Sequence, residues 1–300
     1  DRDGGIGFPL VPELLGPVGF QILNTKENTM DTKLNSLSRR AFLRLMAIAA
    51  SGTLFSGCLP QGSEPTVSEA DYYVAQADQL LKDFDDNLPY FNKVLQGDYT
   101  DAEIRDINRE TRQHYADLIL QLPYIGGETN GLTYNLIQST WCLAFYQVLQ
   151  ARGRTVEDVG RMLYKLMEAM GKAYPPGLSR IAGLVETSGL SLDRLKAEAE
   201  ISQQRRYAED WVFTAVEGNG DDFDLGVDYT ECGICKFFQA QHASELTPYM
   251  CLLDFPMSVT SDAGLVRTMT LANGDAKCDF RYKLGRPTQP LLPPGFLEGT

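Results

Sequence analysis

The stretch Phe223-Asp224-Leu225-Gly226-Val227-Asp228-Tyr229 alternates without a break. In an extended chain Phe223, Leu225, Val227 and Tyr229 project to one side, while Asp224, Gly226 and Asp228, with Asp222 before them, project to the other. Such a period of two marks a strand with one face against a core. Upstream, Trp211 to Glu217 is strand-like and Gly218-Asn219-Gly220 supplies a turn, so the pair reads as a β-hairpin. Two short helical stretches follow, about Cys232 to Gln241 and Ser244 to Leu253. A second strand pair comes next: Leu265 to Leu271, a turn at Asn273-Gly274-Asp275, then Lys277 to Lys283. The order strand, strand, helix, helix, strand, strand predicts an α+β fold, an antiparallel sheet with helices on one face.

Working back toward the N-terminus, Ser68 to about Tyr207 reads as a helical, bundle-like part. Ser68 with Asp71, Thr100 with Glu103 and Thr155 with Asp158 each place a capping oxygen three residues before a carboxylate. Pro89, Pro123, Gly153 and Pro175-Pro176 punctuate the run. Leu132 to Leu149 is apolar on two sides and is expected to be the central buried helix, with Cys142 acting as packing. His114 reads as a surface residue and His242 as an exposed residue between helices.

The first sixty residues read as an address. Met30 is the expected start of the translated protein, with Asp1 to Thr29 an upstream extension. Ser38-Arg39-Arg40-Ala41-Phe42-Leu43-Arg44 resembles a twin-arginine export motif, and an apolar run from Leu45 to Phe55 follows. Leu54-Phe55-Ser56-Gly57-Cys58 resembles a bacterial lipobox with Cys58 acylated. The apolar run is too short to span a bilayer, which fits a processed signal. Acyl chains contribute about 0.8 kcal/mol per buried methylene, so lipid on Cys58 would hold the protein at a membrane surface of the bacterial envelope. The expected organisation is thus 1–57 extension and signal, 58–67 tether, 68–207 helical region, 208–285 cysteine-bearing module and 286–300 Pro-rich tail.

The chain carries 43% hydrophobic and 22% charged residues, ordinary for a globular protein with a real core. Its formal net charge of -13 argues against nucleic acid, because affinity for a polyanion comes largely from Lys and Arg at phosphates. With only two histidines, a three-imidazole zinc centre is excluded.

Four of the six cysteines fall between Cys232 and Cys278. If Cys232-Gly233-Ile234-Cys235 opens a helix, both sulfurs share one face, and a thiol at a helix N-terminus leans toward thiolate. Cys251 and Asp254 repeat the three-residue spacing, Cys278 shares a strand face with Phe280 and Tyr282, and Asp228 and Glu231 lead into Cys232. Three readings fit the sulfurs. One is a metal site, zinc above all, on Cys232, Cys235, Cys251 and Cys278, although C-x2-C is only half of a zinc pattern. Another is a set of structural disulfides, natural in an exported chain. The third is a catalytic thiolate with a carboxylate partner.

The run Asp221-Asp222-Phe223-Asp224-Leu225-Gly226-Val227-Asp228-Tyr229-Thr230-Glu231-Cys232 resembles the L-2-amino-thiazoline-4-carboxylic acid hydrolase family. So do Glu245-Leu246-Thr247-Pro248-Tyr249-Met250-Cys251-Leu252-Leu253-Asp254, Arg267-Thr268-Met269-Thr270-Leu271-Ala272-Asn273-Gly274 and Cys278-Asp279-Phe280-Arg281-Tyr282. The likeness covers most of Leu132 to Lys283. It implies a hydrolase acting on a carbon–nitrogen or carbon–sulfur bond of a small heterocycle, opening a cyclic thiazoline or amidine carboxylate to a carbamoyl-cysteine type product. On that resemblance Cys232, Cys251 and Cys278 would form the reactive or metal-binding core, and Asp254 or Asp228 the general base. Arg267 or Arg281 would pair with the substrate carboxylate, with Glu231 also at the substrate. Two rival expectations stand beside it: a non-catalytic sensory module that binds a small molecule or metal through the same cysteines, and a disulfide-stapled envelope lipoprotein.

Overall fold

Thr100 and Thr155 show how the helical part is laid down. Each accepts the backbone N–H three residues on, from Glu103 at 3.4 Å and from Asp158 at 3.1 Å. The two carboxylates in turn accept the N–H of Thr100 at 2.8 Å and of Thr155 at 3.2 Å, so two of the three expected capping boxes form, and at the third Ser68 accepts the Asp71 N–H at 3.2 Å. In the computed structural model, which describes residues 68–173, 180–181, 184 and 189–298, these caps open α2 (Asp101–Ile119) and α4 (Val156–Lys172). Before α2 lies α1 (Ala77–Leu95), and between α2 and α4 lies α3 (Thr133–Gln150). Gly189–Ser202 forms α5. The export and acylation motifs, with Cys58, lie outside the described residues.

Pro89 was expected to interrupt the helical run, yet α1 continues through it. The apolar stripe explains why: Phe84, Phe91 and Leu95 are all buried on both sides of Pro89 and pack against the aromatic core. The packing outweighs the hydrogen bond that proline removes. The expected central helix is α3, whose Leu136, Trp141, Leu143, Phe145 and Leu149 are buried. Phe84 meets Trp141 at 6.0 Å and Phe91 meets Phe145 at 5.1 Å between ring centroids, tying α1 to α3.

The sheet has three antiparallel strands in the order β1 (Val212–Glu217), β2 (Leu225–Glu231), β3 (Cys278–Tyr282). Tyr229 lies opposite both Phe213 and Cys278, and Val227 opposite Ala215 and Phe280. The alternation in β2 therefore sets one continuous apolar face across three strands. The opposite face carries Thr214, Asp228, Asp279 and Arg281. Helices stand on the apolar side: α5 against β1, then α6 (Gly233–Ala240), α7 (Thr247–Leu252) and α8 (Asp254–Ser261) after β2. The fold is α+β as expected.

The strand expected at Leu265 to Leu271 does not form. Only Val266 makes bridges, to Arg281 and to Gln289. The reason is that side chains take the backbone donors a ladder would use. Asp279 accepts the N–H of Thr268 at 2.8 Å and of Met269 at 2.6 Å, Asp275 that of Thr270 at 2.7 Å, and Cys278 Sγ that of Leu271 at 3.2 Å. β3 pairs with β2 instead, as the edge of the one sheet.

Helix α8 had no clear signal in the sequence, where Pro256 and β-branched Val259 and Thr260 weaken any helical pattern. It is held by close packing on α4. A Cβ on Gly171 would come within 2.1 Å of Thr260, and one on Gly160 within 2.4 Å of the Tyr249 ring of α7. The helical region and the cysteine-bearing module share one core, in which Leu143 and Leu163 belong with Phe213, Val227, Phe238 and Phe255. No helix among the described residues is long and apolar enough to cross a membrane.

Candidate active site

Between the apolar sheet face and helices α5 and α7 lies a cavity of about 520 Å³. Its floor is set by the strand register, which places Tyr229, Cys278 and Phe280 side by side on the same face. Cys232, Cys251, Asp254 and Arg267 complete a polar end.

Cys232 reaches this end because β2 stops there and α6 starts. It is the N-cap of α6, still extended at φ -129° and ψ 119°. At that position its sulfur lies near the Cys235 thiol, the backbone N–H groups of Cys235 and Ile234, and the Trp211 indole, although no side-chain hydrogen bond caps α6. The neighbouring Cys235 thiol contributes most, and together these groups outweigh burial and hold Cys232 below the ordinary thiol range. Cys235, beside Cys232 and itself enclosed, is pushed far up. Gly233 permits the arrangement: a Cβ there would sit 2.6 Å from the Trp211 ring, so any side chain would drive the indole away.

The other two cavity thiols are neutral. Burial pushes Cys278 up to about 11, with the Leu271 N–H only partly offsetting it. Burial pushes Cys251 further, well beyond the ordinary thiol range. The three sulfurs thus differ, with Cys232 held below the ordinary thiol range and the other two above it.

Asp254 opens α8, and Arg267 comes from the irregular segment that replaces the expected strand. Their side chains form a charge-assisted hydrogen bond, Arg267 Nη1 to Asp254 Oδ2. Arg267 also donates to the Cys251 carbonyl at 2.7 Å, and its guanidinium lies 5.0 Å from the Phe255 ring centroid and 4.9 Å from that of Phe280. Its side chain is only 2% exposed. Asp254 keeps 42% of its side chain open to the cavity, yet protein surrounds it closely. That enclosure raises its pKa above the usual carboxylate value, and Arg267 offsets it only in part.

Of the residues singled out from the sequence, Cys232, Cys251, Asp254, Arg267 and Cys278 meet on this cavity. Asp228 and Arg281 do not. They lie on the other face of the sheet, 2.8 Å apart, with Lys277 2.5 Å from Asp228 and the Arg281 guanidinium over the Phe223 ring. The alternation that brings Tyr229 inward necessarily turns Asp228 outward. Glu231 ends β2 in an ion cluster with Lys236, at 2.5 Å, and Arg205. Cys235 stands behind Cys232, off the cavity wall.

Cys142, Cys232, Cys235, Cys251 and Cys278 are all free thiols, which corrects the disulfide expectation for the late four. Among the described residues no group of three or more His, Cys, Asp or Glu side chains is placed to hold a metal ion, the four late cysteines included. The cavity also gathers residues with no functional signal in the sequence: Trp211, Tyr229, and Arg194 with Glu198 on α5, 3.5 Å apart. Tyr229 was legible as inward-facing from the alternation. Burial, then the charges of Asp254 and Cys232, raise its phenol pKa. Burial raises Glu198 as well.

No curated protein and no solved structure matches the chain significantly. The family model described as L-2-amino-thiazoline-4-carboxylic acid hydrolase matches residues 134–282, which include α3, all three strands and every late cysteine. That family is one of hydrolases. Segment 134–282 of this chain, the part that builds the cysteine-lined end of the cavity, is thus similar to the L-2-amino-thiazoline-4-carboxylic acid hydrolase family.

Proposed function

We propose that the protein opens a small cyclic thiazoline or amidine carboxylate by hydrolysis, giving a carbamoyl-cysteine type product. The observation that carries this reading is the meeting of Cys232, Cys251, Cys278, Asp254 and Arg267 on one cavity, where Cys232 alone of the three sulfurs is held below the ordinary thiol range. Cys232 attacks the ring carbon between sulfur and nitrogen, the ring carbon–sulfur bond breaks, and the departing sulfur takes a proton. Water then adds to the same carbon and releases Cys232, leaving a carbonyl on the nitrogen side. Asp254, whose enclosure makes it a stronger base than an exposed carboxylate, suits the deprotonation of that water. Arg267 and Arg194 both line the cavity beside their partners Asp254 and Glu198, so a substrate carboxylate would share a guanidinium with an acidic side chain there.

The test is to supply L-2-amino-thiazoline-4-carboxylate and follow the appearance of free thiol and of the carbamoyl product by mass spectrometry. Turnover is expected in the wild type and should fall by about 100-fold or more in Cys232→Ser and in Asp254→Asn. Saturable binding of the ring with no thiol released would favour the sensory reading instead.

We also propose that the protein is exported and held at a membrane surface through lipid on Cys58, supported by the Arg39-Arg40 motif, the apolar run and the lipobox-like Leu54 to Cys58. Metabolic labelling with a tagged fatty acid should mark the wild type and leave Cys58→Ala unmarked. Equal labelling of both would remove the proposal.

A further inference from the structure

Of the four late cysteines, Cys235 alone lies off the cavity wall. Its position relative to Cys232 is nevertheless specific. Cys232 is the N-cap of α6, and Cys235 is the third residue inside the helix. That is the spacing at which a capping side chain and the side chain three residues on reach each other. The same chain shows this reach twice, with Thr100 Oγ1 2.7 Å from the Glu103 carboxylate and Thr155 Oγ1 2.7 Å from that of Asp158. At α6 both of these positions, N-cap and third helical residue, are cysteines, with no side-chain hydrogen bond to the cap. Both cysteines are free and half-buried, and Cys232 faces a cavity that admits small molecules. A bond between two sulfurs held this way asks for little backbone movement.

We propose that Cys232 and Cys235 are a dithiol pair that exchanges reversibly with small-molecule disulfides entering the cavity. In the first step the Cys232 thiolate attacks one sulfur of the incoming disulfide. A Cys232–sulfur bond forms, the incoming sulfur–sulfur bond breaks, and one thiolate leaves and takes a proton from water. In the second step Cys235 gives up its proton and attacks Cys232 Sγ. The mixed disulfide breaks, a second thiol leaves, and the Cys232–Cys235 bond remains. The two protein thiols are oxidised by two electrons and the small disulfide is reduced to two thiols. A reducing thiol reverses both steps.

Cys251 and Cys278 are the competing partners for Cys232. They stand on α7 and at the start of β3, and the Cys278 sulfur already accepts the Leu271 N–H. Bonding to either would link separate elements, whereas Cys235 shares the first turn of α6 with its partner. The exchange rests on this sulfur placement and not on the hydrolytic reading, although both use Cys232.

The test is to incubate the native full-length chain with oxidised glutathione, quench with an alkylating reagent, and map each cysteine by mass spectrometry. The wild type should lose two alkylatable thiols, at Cys232 and Cys235, and regain both with dithiothreitol. Cys235→Ser should stall after the first step, with one glutathione on Cys232. Cys232 bonded to Cys251 or Cys278, no loss of thiols, or a Cys235→Ser protein without the adduct would each overturn the proposal. Thiol counting needs no turnover, so it stands or falls separately from the hydrolase assay.

Discussion

Cys232 owes its chemistry to a junction, since a residue that both ends a strand and caps a helix can collect donors from two directions. On the helix side lie the N–H groups of Ile234 and Cys235, and on the other the Trp211 indole, just before β1. Thiolate is the attacking form and exists above the folded-state pKa of Cys232, so turnover should rise with pH through a value below the ordinary thiol pKa of about 8.5. Trp211→Phe removes one donor and should move that rise to higher pH. An unmoved profile would show that the indole does not act on the sulfur. Asp254 and Arg267 give a second expectation at the same scale. Because the Arg267 side chain is 2% exposed, removing Asp254 strands a buried cation. Asp254→Ala should therefore cost about 3–5 kcal/mol in urea unfolding, while the double change Asp254→Leu with Arg267→Met should recover most of it. Equal losses in both would mean that the pair contributes packing and not charge compensation.

At the scale of elements, what the sequence carried was local. The capping boxes of α2 and α4 form as the Thr100–Glu103 and Thr155–Asp158 spacing predicts, and the alternation of β2 correctly sorts Tyr229 inward and Asp228 outward. Pro89 and the segment 265–271 misled because long-range contacts decide them. In α1, Phe84 and Phe91 pack on either side of the proline, and no local rule reports that. In 265–271, apolar residues promise a strand, but Asp279 on β3 captures the donors of Thr268 and Met269. Asp279 also accepts the Thr268 hydroxyl at 2.7 Å, so Asp279→Ala should cost about 3 kcal/mol, near 1 for each of the three bonds lost, whereas Asp279→Asn keeps an accepting oxygen and should retain most of the stability. Because the same segment carries Arg267, the Ala variant should also lose activity. Full activity and stability in Asp279→Ala would show that the segment is held by other means.

For the molecule as a whole, α+β architecture was legible because the period changes from helical to alternating near residue 208. The cavity was legible only in part. Cys232, Cys251, Asp254, Arg267 and Cys278 lie close to one another in sequence motifs, while Arg194 and Glu198 arrive from α5, an element whose docking against β1 leaves no trace in its own sequence. The family match begins at residue 134, yet Phe84, Phe91 and Tyr115 from outside it pack on Trp141 and Phe145 within it. A truncation beginning at Leu132 should therefore expose those rings, bind a hydrophobic dye and lose cooperative unfolding. A sharp thermal transition in that fragment would show that the family segment folds alone.

The most direct test of the central claim is to alkylate the native protein across a pH series and to read the rate at each cysteine by mass spectrometry. Cys232 should react fastest, with a rate that reaches half its plateau below the pH at which an ordinary thiol does, while Cys251 and Cys278 stay slow. Fastest reaction at Cys251 or Cys278, or a Cys232 rate that rises only in the ordinary thiol range, would contradict the account.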